Sequence, residues 1–96
     1  MKMILITYNE AIDAEVMEGL DECGVKSYTK TTGVFGKGDI SGTHLGTDIW
    51  PGRNHVLHIA ATDDCAKRLM NCVRALRSRY GREGIKAFCL PVEDVT

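Results

Sequence analysis

The sequence predicts a single α+β domain in which four strands and two helices follow one another in the order βαββαβ. Three observations predict it: four short runs rich in apolar and β-branched residues, two segments with apolar residues at helical spacing, and caps or glycines at the segment ends. The chain has 96 residues, 44% of them hydrophobic and 26% charged, which is typical of one globular domain. We therefore treat residues 1–96 as one unit.

The first strand and the first helix are separated by Asn9. MKMILITYN, residues 1–9, is a β-rich apolar run, and Asn9 at its end is a good helix N-cap. The apolar residues that follow recur at helical spacing: Ile12, Val16, Leu20 and Cys23. Gly24 stands where a C-cap glycine belongs, and VKSYTKTT, residues 25–32, alternates like an edge or half-exposed strand.

The second half of the chain repeats this order. HVLHIAAT, residues 55–62, predicts the third strand, and the TDD sequence at 62–64 is a helix-start signal. One face of that helix is apolar: Leu69, Val73, Leu76 and Tyr80. Gly81 ends the helix, and GIKAFCLPV, residues 84–92, predicts a final strand stopped by Pro91. The order matches a ferredoxin-like sandwich, a four-stranded antiparallel sheet with two helices on one face.

The strands are apolar on both sides, although this architecture leaves one face of the sheet bare. The opposing sets are Ile4 and Ile6 against Met3 and Leu5, then Val56, His58 and Ala60 against Leu57, Ile59 and Ala61, then Phe88 and Leu90 against Ala87 and Cys89. A sheet with one solvated face normally alternates apolar and polar residues. Leaving about four or five such side chains in water, at ~1.5–3 kcal/mol each, would offset the whole stability of a small domain. The sequence therefore predicts self-association.

Charge is segregated along the chain, although the formal net charge is only −1. Residues 1–24 carry six acids against Lys2 alone, and residues 67–86 carry seven bases against Glu83 alone. We interpret these segments as two solvated faces that attract each other weakly, so nucleic acid is not an expected partner. The N-terminal MILI run is too short for a signal peptide or a membrane span, so no membrane insertion is expected.

The four cysteines show no metal-ligand or redox spacing: Cys23, Cys65, Cys72 and Cys89. Each lies on or beside an apolar face. We therefore expect buried free thiols in a reducing compartment, and a cytoplasmic protein.

A glycine-rich stretch separates the second strand from the third. GVFGKGDISGTHLGTDIWPGRN, residues 33–54, holds six of the ten glycines and the single tryptophan. Loops of this length without secondary structure of their own are usually functional or disordered. We expect a flexible loop at about 36–54.

The chain resembles the P-II-like proteins, the trimeric superfamily of nitrogen-regulatory signalling proteins. GVKSYTKTTGVFGKG is similar to the family's stretch in which Gly-Val precedes a strand ending in Gly-Phe-Gly-Arg, and AFCLPVEDV resembles its closing Phe-Val-Phe-Pro-Val-Glu-Asp. The resemblance implies a homotrimer that binds ATP or ADP in clefts between subunits. It also implies that the loop at 36–54 contacts a protein target.

The same resemblance assigns residues to these roles. The residues expected to bind the effector lie at the loop base and in the turn before the last strand: Thr29, Phe35, Gly36, Lys37, Gly81, Arg82, Gly84 and Lys86. Lys37 stands where arginine is usual, which keeps the charge and loses the planar fork. Lys86 matches a lysine that contacts phosphates. The loop residues expected to contact a protein target are His44, Asp48 and Trp50.

Two other functions stay open at this point. His44 and Asp48 with His55 or His58 would supply ligands for a divalent metal, as in the trimeric divalent-cation tolerance proteins, but their spacing matches no metal signature and we assign no metal site. The other is a structural trimer without a ligand. No nucleophile–base arrangement or carboxylate pair indicates catalysis, and the third strand lacks the exposed aromatics of an RNA-recognition module. The first expectation is thus a non-enzymatic regulatory protein.

Overall fold

The computed structural model describes residues 1–37, 53–80 and 84–96, and within them it has the predicted order of elements. These are β1 (Lys2–Asn9), a 3₁₀ turn (Glu10–Ile12), α1 (Asp13–Glu22), β2 (Thr29–Phe35), β3 (Arg53–Ala61), α2 (Asp63–Tyr80) and β4 (Ile85–Pro91). The strands form one antiparallel sheet in the order β2-β3-β1-β4. The predicted α+β, ferredoxin-like architecture is confirmed.

The hydrophobic core lies between the sheet and the two helices. It is built by alternate strand residues and one face of each helix: Ile4, Ile6, Tyr8, Ile12, Val16, Leu20, Leu57, Ile59, Ala66, Leu69, Val73, Leu76 and Ile85. Ile4, Ile6 and Leu57 are fully shielded from solvent. Full burial of one such aliphatic side chain stabilises the fold by roughly 1.5–3 kcal/mol, so this face of the sheet supplies most of the chain's own stability.

The opposite face of the sheet is not covered by any element that the structure describes. We call it the open face, and the strand registers assign to it Met3, Leu5 and Thr7, Thr29 and Thr31, Val56, His58 and Ala60, and Lys86, Phe88 and Leu90. Phe88 is 50% exposed and Leu90 is 42% exposed. The expected apolar character of both faces is present in the structure, and self-association through the open face stays a prediction.

The first helix begins later than its cap signal suggested. The Asn9 side chain accepts a hydrogen bond from the Ala11 amide at 2.8 Å, which caps the 3₁₀ turn, and α1 itself starts at Asp13. Gly24 ends the helix with a positive φ of 86°, as the C-cap pattern indicated. Neither helix in the described part of the chain is long and apolar enough to cross a membrane.

The second strand is displaced from its predicted position. Residues 25–32 were expected, whereas β2 covers Thr29–Phe35. The amide of Val25 instead donates to the Leu20 carbonyl at 3.0 Å, so this residue completes the helix cap. Farther along, the pairing of β2 with β3 shifts register between Thr31 and Val34. Such a bulge lets the strand continue into the glycine-rich stretch.

The prediction of four buried free thiols is wrong, because only Cys65 and Cys89 are free and neither is fully buried. Cys23 at the end of α1 forms a disulfide with Cys72 of α2, and Cys89 is exposed rather than buried. The helices approach closely at Gly19, where an added Cβ would lie 2.8 Å from Leu76 Cδ2, and this brings the two thiols together. Sequence spacing could not reveal a partner 49 residues away. The argument for a reducing compartment loses its basis with these thiols.

Candidate functional site

The expected effector-binding residues that the structure describes form two groups at opposite edges of the sheet. Phe35 ends β2 and Gly36 and Lys37 follow it, and we call these three residues the β2 group. Gly84 and Lys86 lie at the start of β4, and we call them the β4 group. β2 and β4 are the two outer strands in the sheet order. All five residues are exposed, Phe35 by 71%.

Both groups lie at the same end of the sheet. Phe35 pairs with Arg53 at the start of β3, and Ile85 pairs with Tyr8 near the end of β1. β3 and β1 pair with each other at that same end. Two strands therefore lie between the groups. The groups are three strand spacings of about 4.8 Å apart, which amounts to roughly 14 Å. One chain does not bring them together.

Thr29 stands apart from both groups. It opens β2 and pairs with His58, whereas Phe35 closes the strand. At about 3.3 Å per residue this places Thr29 roughly 20 Å from Phe35. The structure does not bring it into the β2 group.

The remaining candidates lie outside the described residues. These are Gly81 and Arg82, which precede β4 in the sequence, and His44, Asp48 and Trp50, which lie between β2 and β3 in the sequence. Their roles stay predictions.

Three exposed cationic side chains lie at this end of the sheet. Lys37 and Lys86 are both exposed, and neither forms an ion pair with a carboxylate in the part of the chain that the structure describes. Arg53, directly opposite Phe35, is exposed at the same end of the sheet. Cationic side chains with no acidic partner are suited to bind an anionic ligand, and guanidinium groups bind phosphate with two parallel hydrogen bonds.

Arg53 is the residue that sequence reasoning missed. The sequence did contain a signal for it, because Arg53 is a basic residue near the end of the glycine-rich stretch. Lys37 is a basic residue near the beginning of the same stretch. Only the register shows that it lies across from Phe35. It adds a third positive side chain at this end of the sheet.

The start of β4 is held to the end of β1 by a backbone contact. The amide of Asn9 donates to the Gly84 carbonyl at 3.1 Å. Gly84 has a φ of 84°, a conformation that residues with a Cβ rarely adopt. A side chain at Gly84 would therefore strain the backbone that leads into β4 and Lys86.

The glycine of the β2 group is required for a different reason. A Cβ at Gly36 would lie 2.6 Å from Nδ2 of Asn54, so the absent side chain lets β2 pass close to β3. The strand end that carries Phe35 and Lys37 is thereby held against the start of β3.

A partly buried polar network ties β2 to the first helix behind this end of the sheet. Asp13 accepts hydrogen bonds from Tyr8 at 2.6 Å and from Lys30 of β2 at 2.7 Å. Burial by itself raises the pKa of Asp13, but the hydrogen bonds from Lys30 and Tyr8 outweigh it and hold that pKa below its usual range. Burial, then the hydrogen bond to Asp13, raise the pKa of Tyr8 well above its usual value.

His55 completes this network from β3. Its ring meets the Tyr8 ring edge to face, with centroids 5.7 Å apart. This contact holds β3 against β1 two residues from Arg53. The network thus positions strands rather than reacting groups, and nothing in the described residues points to acid–base or nucleophilic chemistry.

Comparison with known proteins shows the family to which the chain belongs. The model of the family described as "Nitrogen regulatory protein P-II" matches residues 1–96. The chain belongs to the P-II family. A sequence comparison with curated proteins gives no match. P-II membership agrees with the first of the three functions considered from the sequence.

Solved P-II-like structures share the fold. CPII, a nitrogen regulatory PII-like protein from Thiomonas intermedia K12, bound to ADP, AMP and bicarbonate, superposes with a TM-score of 0.71 at 18% identity, covering 99% of this chain and 92% of that chain. A protein from Thermus thermophilus, proposed to be PII-like and signalling, gives 0.62 at 22% identity, covering 92% and 81%. At such identities the likeness shows the fold alone.

The described residues do not supply the ligand cluster that a divalent-metal site would need. Among residues 1–37, 53–80 and 84–96, no group of three or more His, Cys, Asp or Glu side chains could hold a metal ion. His55 lies on the helix-covered face and His58 on the open face, so the two strand histidines do not converge.

Proposed function

We propose that this protein is a non-enzymatic P-II regulator that acts as a homotrimer. It binds a small anionic effector of the adenine nucleotide class between subunits, and it docks a protein target through the loop at 36–54. The observation that carries the proposal is the division of the candidate effector-binding residues between the two outer strands of the sheet.

A site shared between two copies requires residues on two different edges of each chain. The β2 group and the β4 group meet this requirement. An assembly in which the β2 edge of one copy meets the β4 edge of the next repeats one head-to-tail contact, and such a contact forms a closed ring when the rotation closes. Each contact of the ring then unites a β2 group with a β4 group. Three copies give three such clefts.

The cleft has the chemistry that a nucleotide needs. Lys37 and Arg53 of one copy and Lys86 of the next would surround the phosphates, as charge-assisted hydrogen bonds are the strong ones. Phe35 offers an exposed ring against which a base would stack. The related CPII structure holds ADP and AMP, which supports this ligand class.

The open face supports the assembly. Its exposed Phe88 and Leu90, with the half-buried Leu5 and Val56, form an apolar surface that a neighbouring copy would shield. We place the protein in the cytoplasm, where adenine nucleotides are present.

The loop begins and ends at the proposed cleft. Gly36 and Lys37 are its first two residues, and Arg53 lies near its end. An effector that binds the two loop ends more tightly in one loop conformation shifts the loop toward that conformation. We assign the contact with the target to His44, Asp48 and Trp50, and we keep Arg82 and Gly81 as effector contacts.

Calorimetric titration and thermal unfolding with ATP, ADP and AMP test this function. A bound nucleotide at about 100 times its Kd stabilises the protein by ~2.7 kcal/mol. We expect Lys86→Ala and Lys37→Ala each to abolish this stabilisation. Lys26→Ala, an exposed lysine before β2, is the matched control and should bind as the parent does.

Three results would contradict the proposal. These are no binding of any adenine nucleotide, binding that survives loss of both lysines, and stabilisation by Zn²⁺ or Cu²⁺ that disappears in His44→Ala. The last would indicate the metal-responsive function instead.

A further inference from the structure

The open face carries a single imidazole near its middle. His58 lies on β3, an inner strand, and pairs with Leu5 of β1 on one side and Thr29 of β2 on the other. It is exposed in the single chain. Its neighbours on the same face of β3 are Val56 and Ala60, so a copy that shields this surface also covers the imidazole.

No acidic side chain lies on the strands that surround this histidine. None of the four strands contains Asp or Glu. From β1 the imidazole faces Leu5, flanked by Met3 and Thr7, and from β2 it faces Thr29. The other titratable side chain at a described open-face position is Lys86, a cation on the outer strand β4. The helices pack on the opposite face.

We propose that His58 makes assembly of this protein pH-dependent: copies associate while the imidazole is neutral and separate when it is protonated. This inference rests on the proposed homotrimer. Histidine is the side chain that changes charge between about pH 5 and 8. Covering a charged imidazole with apolar surface and no carboxylate is strongly unfavourable, whereas the exposed imidazole of a free copy is solvated in both states.

Proton linkage sets both the direction and the steepness of the pH dependence of association. The free copy binds the proton more readily than the assembled copy, so acidification favours dissociation. A trimer covers three imidazoles, one from each copy. The association constant should therefore fall by up to about a thousandfold per pH unit on the acid side of the transition.

Sedimentation velocity at pH 7.5, 6.5 and 5.5, at constant ionic strength and with far-UV circular dichroism of each sample, tests the inference. We expect the parent protein to be trimeric at pH 7.5 and a folded monomer at pH 5.5. His58→Phe should be trimeric at both values, because it cannot be charged. His58→Lys should be a folded monomer at both. His55→Gln, on the helix-covered face, is the matched control and should follow the parent.

The outcomes separate this inference from the proposed function. A parent protein that stays trimeric at pH 5.5 overturns the role of His58 and leaves the trimer intact. Dissociation of His58→Phe on acidification, or unfolding of parent and variant alike at pH 5.5, also overturns it. A monomeric parent at pH 7.5 overturns the homotrimer and the inference together.

Discussion

The two faces of the sheet are built from alternating residues of the same strands, yet they meet different surroundings. On the covered face Ile6 and Leu57 are fully buried, whereas on the open face Phe88 is half exposed. Both faces carry apolar residues, although the open face also carries polar ones such as Thr7, His58 and Lys86. The difference supports the proposal that the covered face folds the chain and that the open face brings copies together.

Removal of the helix-layer disulfide is expected to have the largest effect on the covered face. The bond between Cys23 and Cys72 closes a loop of sequence separation 49, and loop-closure entropy predicts a loss of about 4 kcal/mol in Cys72→Ser. Urea unfolding with and without a thiol reductant measures it. The variant Cys65→Ser, which removes a free thiol, is the control and should change little. Equal stability of parent and Cys72→Ser would refute the stabilising role.

Truncation of a buried strand residue comes next. Leu57→Ala should lower the free energy of unfolding by about 2–5 kcal/mol, because it removes a fully buried side chain and leaves a cavity. Urea unfolding at low protein concentration, where association does not contribute, measures this value. A loss below about 1 kcal/mol would show that the covered face is not the folding core.

Asp13 is expected to have a smaller, pH-dependent effect at the rim of the covered face. Its lowered pKa in the folded chain means that its contribution is present above the pKa of an unfolded aspartate, about 3.9, and is lost as the pH falls through the lower folded value. Asp13→Asn should cost on the order of 1–2 kcal/mol at pH 7 and much less at pH 3. Unfolding at both pH values measures this.

A matched control for Asp13 is Glu18→Gln, an exposed acid of α1. We expect its stability to follow that of the parent protein at both pH values. If Asp13→Asn lost the same stability at pH 3 as at pH 7, the ion pair with Lys30 would not be the cause.

Substitutions on the open face should have the smallest effect on the stability of the single chain and the largest effect on association. Phe88→Ala should change the free energy of monomer unfolding by less than about 1 kcal/mol, because the side chain is already half exposed. The same change should weaken association, which light scattering coupled to size exclusion reports. A large loss of monomer stability with unchanged association would reverse the assigned roles of the two faces.

Local signals predicted the element order, and long-range packing decided what they missed. The Asn9 cap, the Gly24 cap and the aspartates that open α2 act within a few residues, so they are readable from the chain. The Cys23–Cys72 bond depends on how closely two helices approach, and nothing in the local spacing encodes that distance. The displacement of β2 follows from Val25 being used by the helix cap.

The positions of some candidate residues were readable from the sequence, whereas their binding role stays a prediction. Family resemblance assigned Phe35, Lys37 and Lys86 to the effector site, and the structure places Phe35 at the end of β2, Lys37 two residues beyond it and Lys86 near the start of β4. Their distribution over the two outer strands depends on the sheet order, which pairs β1 with β3 and β4. Arg53 could be added to the candidate site only from the strand register, which places it opposite Phe35.

Subunit mixing tests the shared cleft most directly. Lys37→Ala lacks a cation of the β2 group and Lys86→Ala lacks the cation of the β4 group, so neither homotrimer should bind ADP. After the two variants are unfolded together and refolded as mixed trimers, contacts that join an intact β2 group to an intact β4 group should restore ADP binding to a fraction of the clefts. No recovery in mixed trimers of verified composition would contradict a site assembled from two copies.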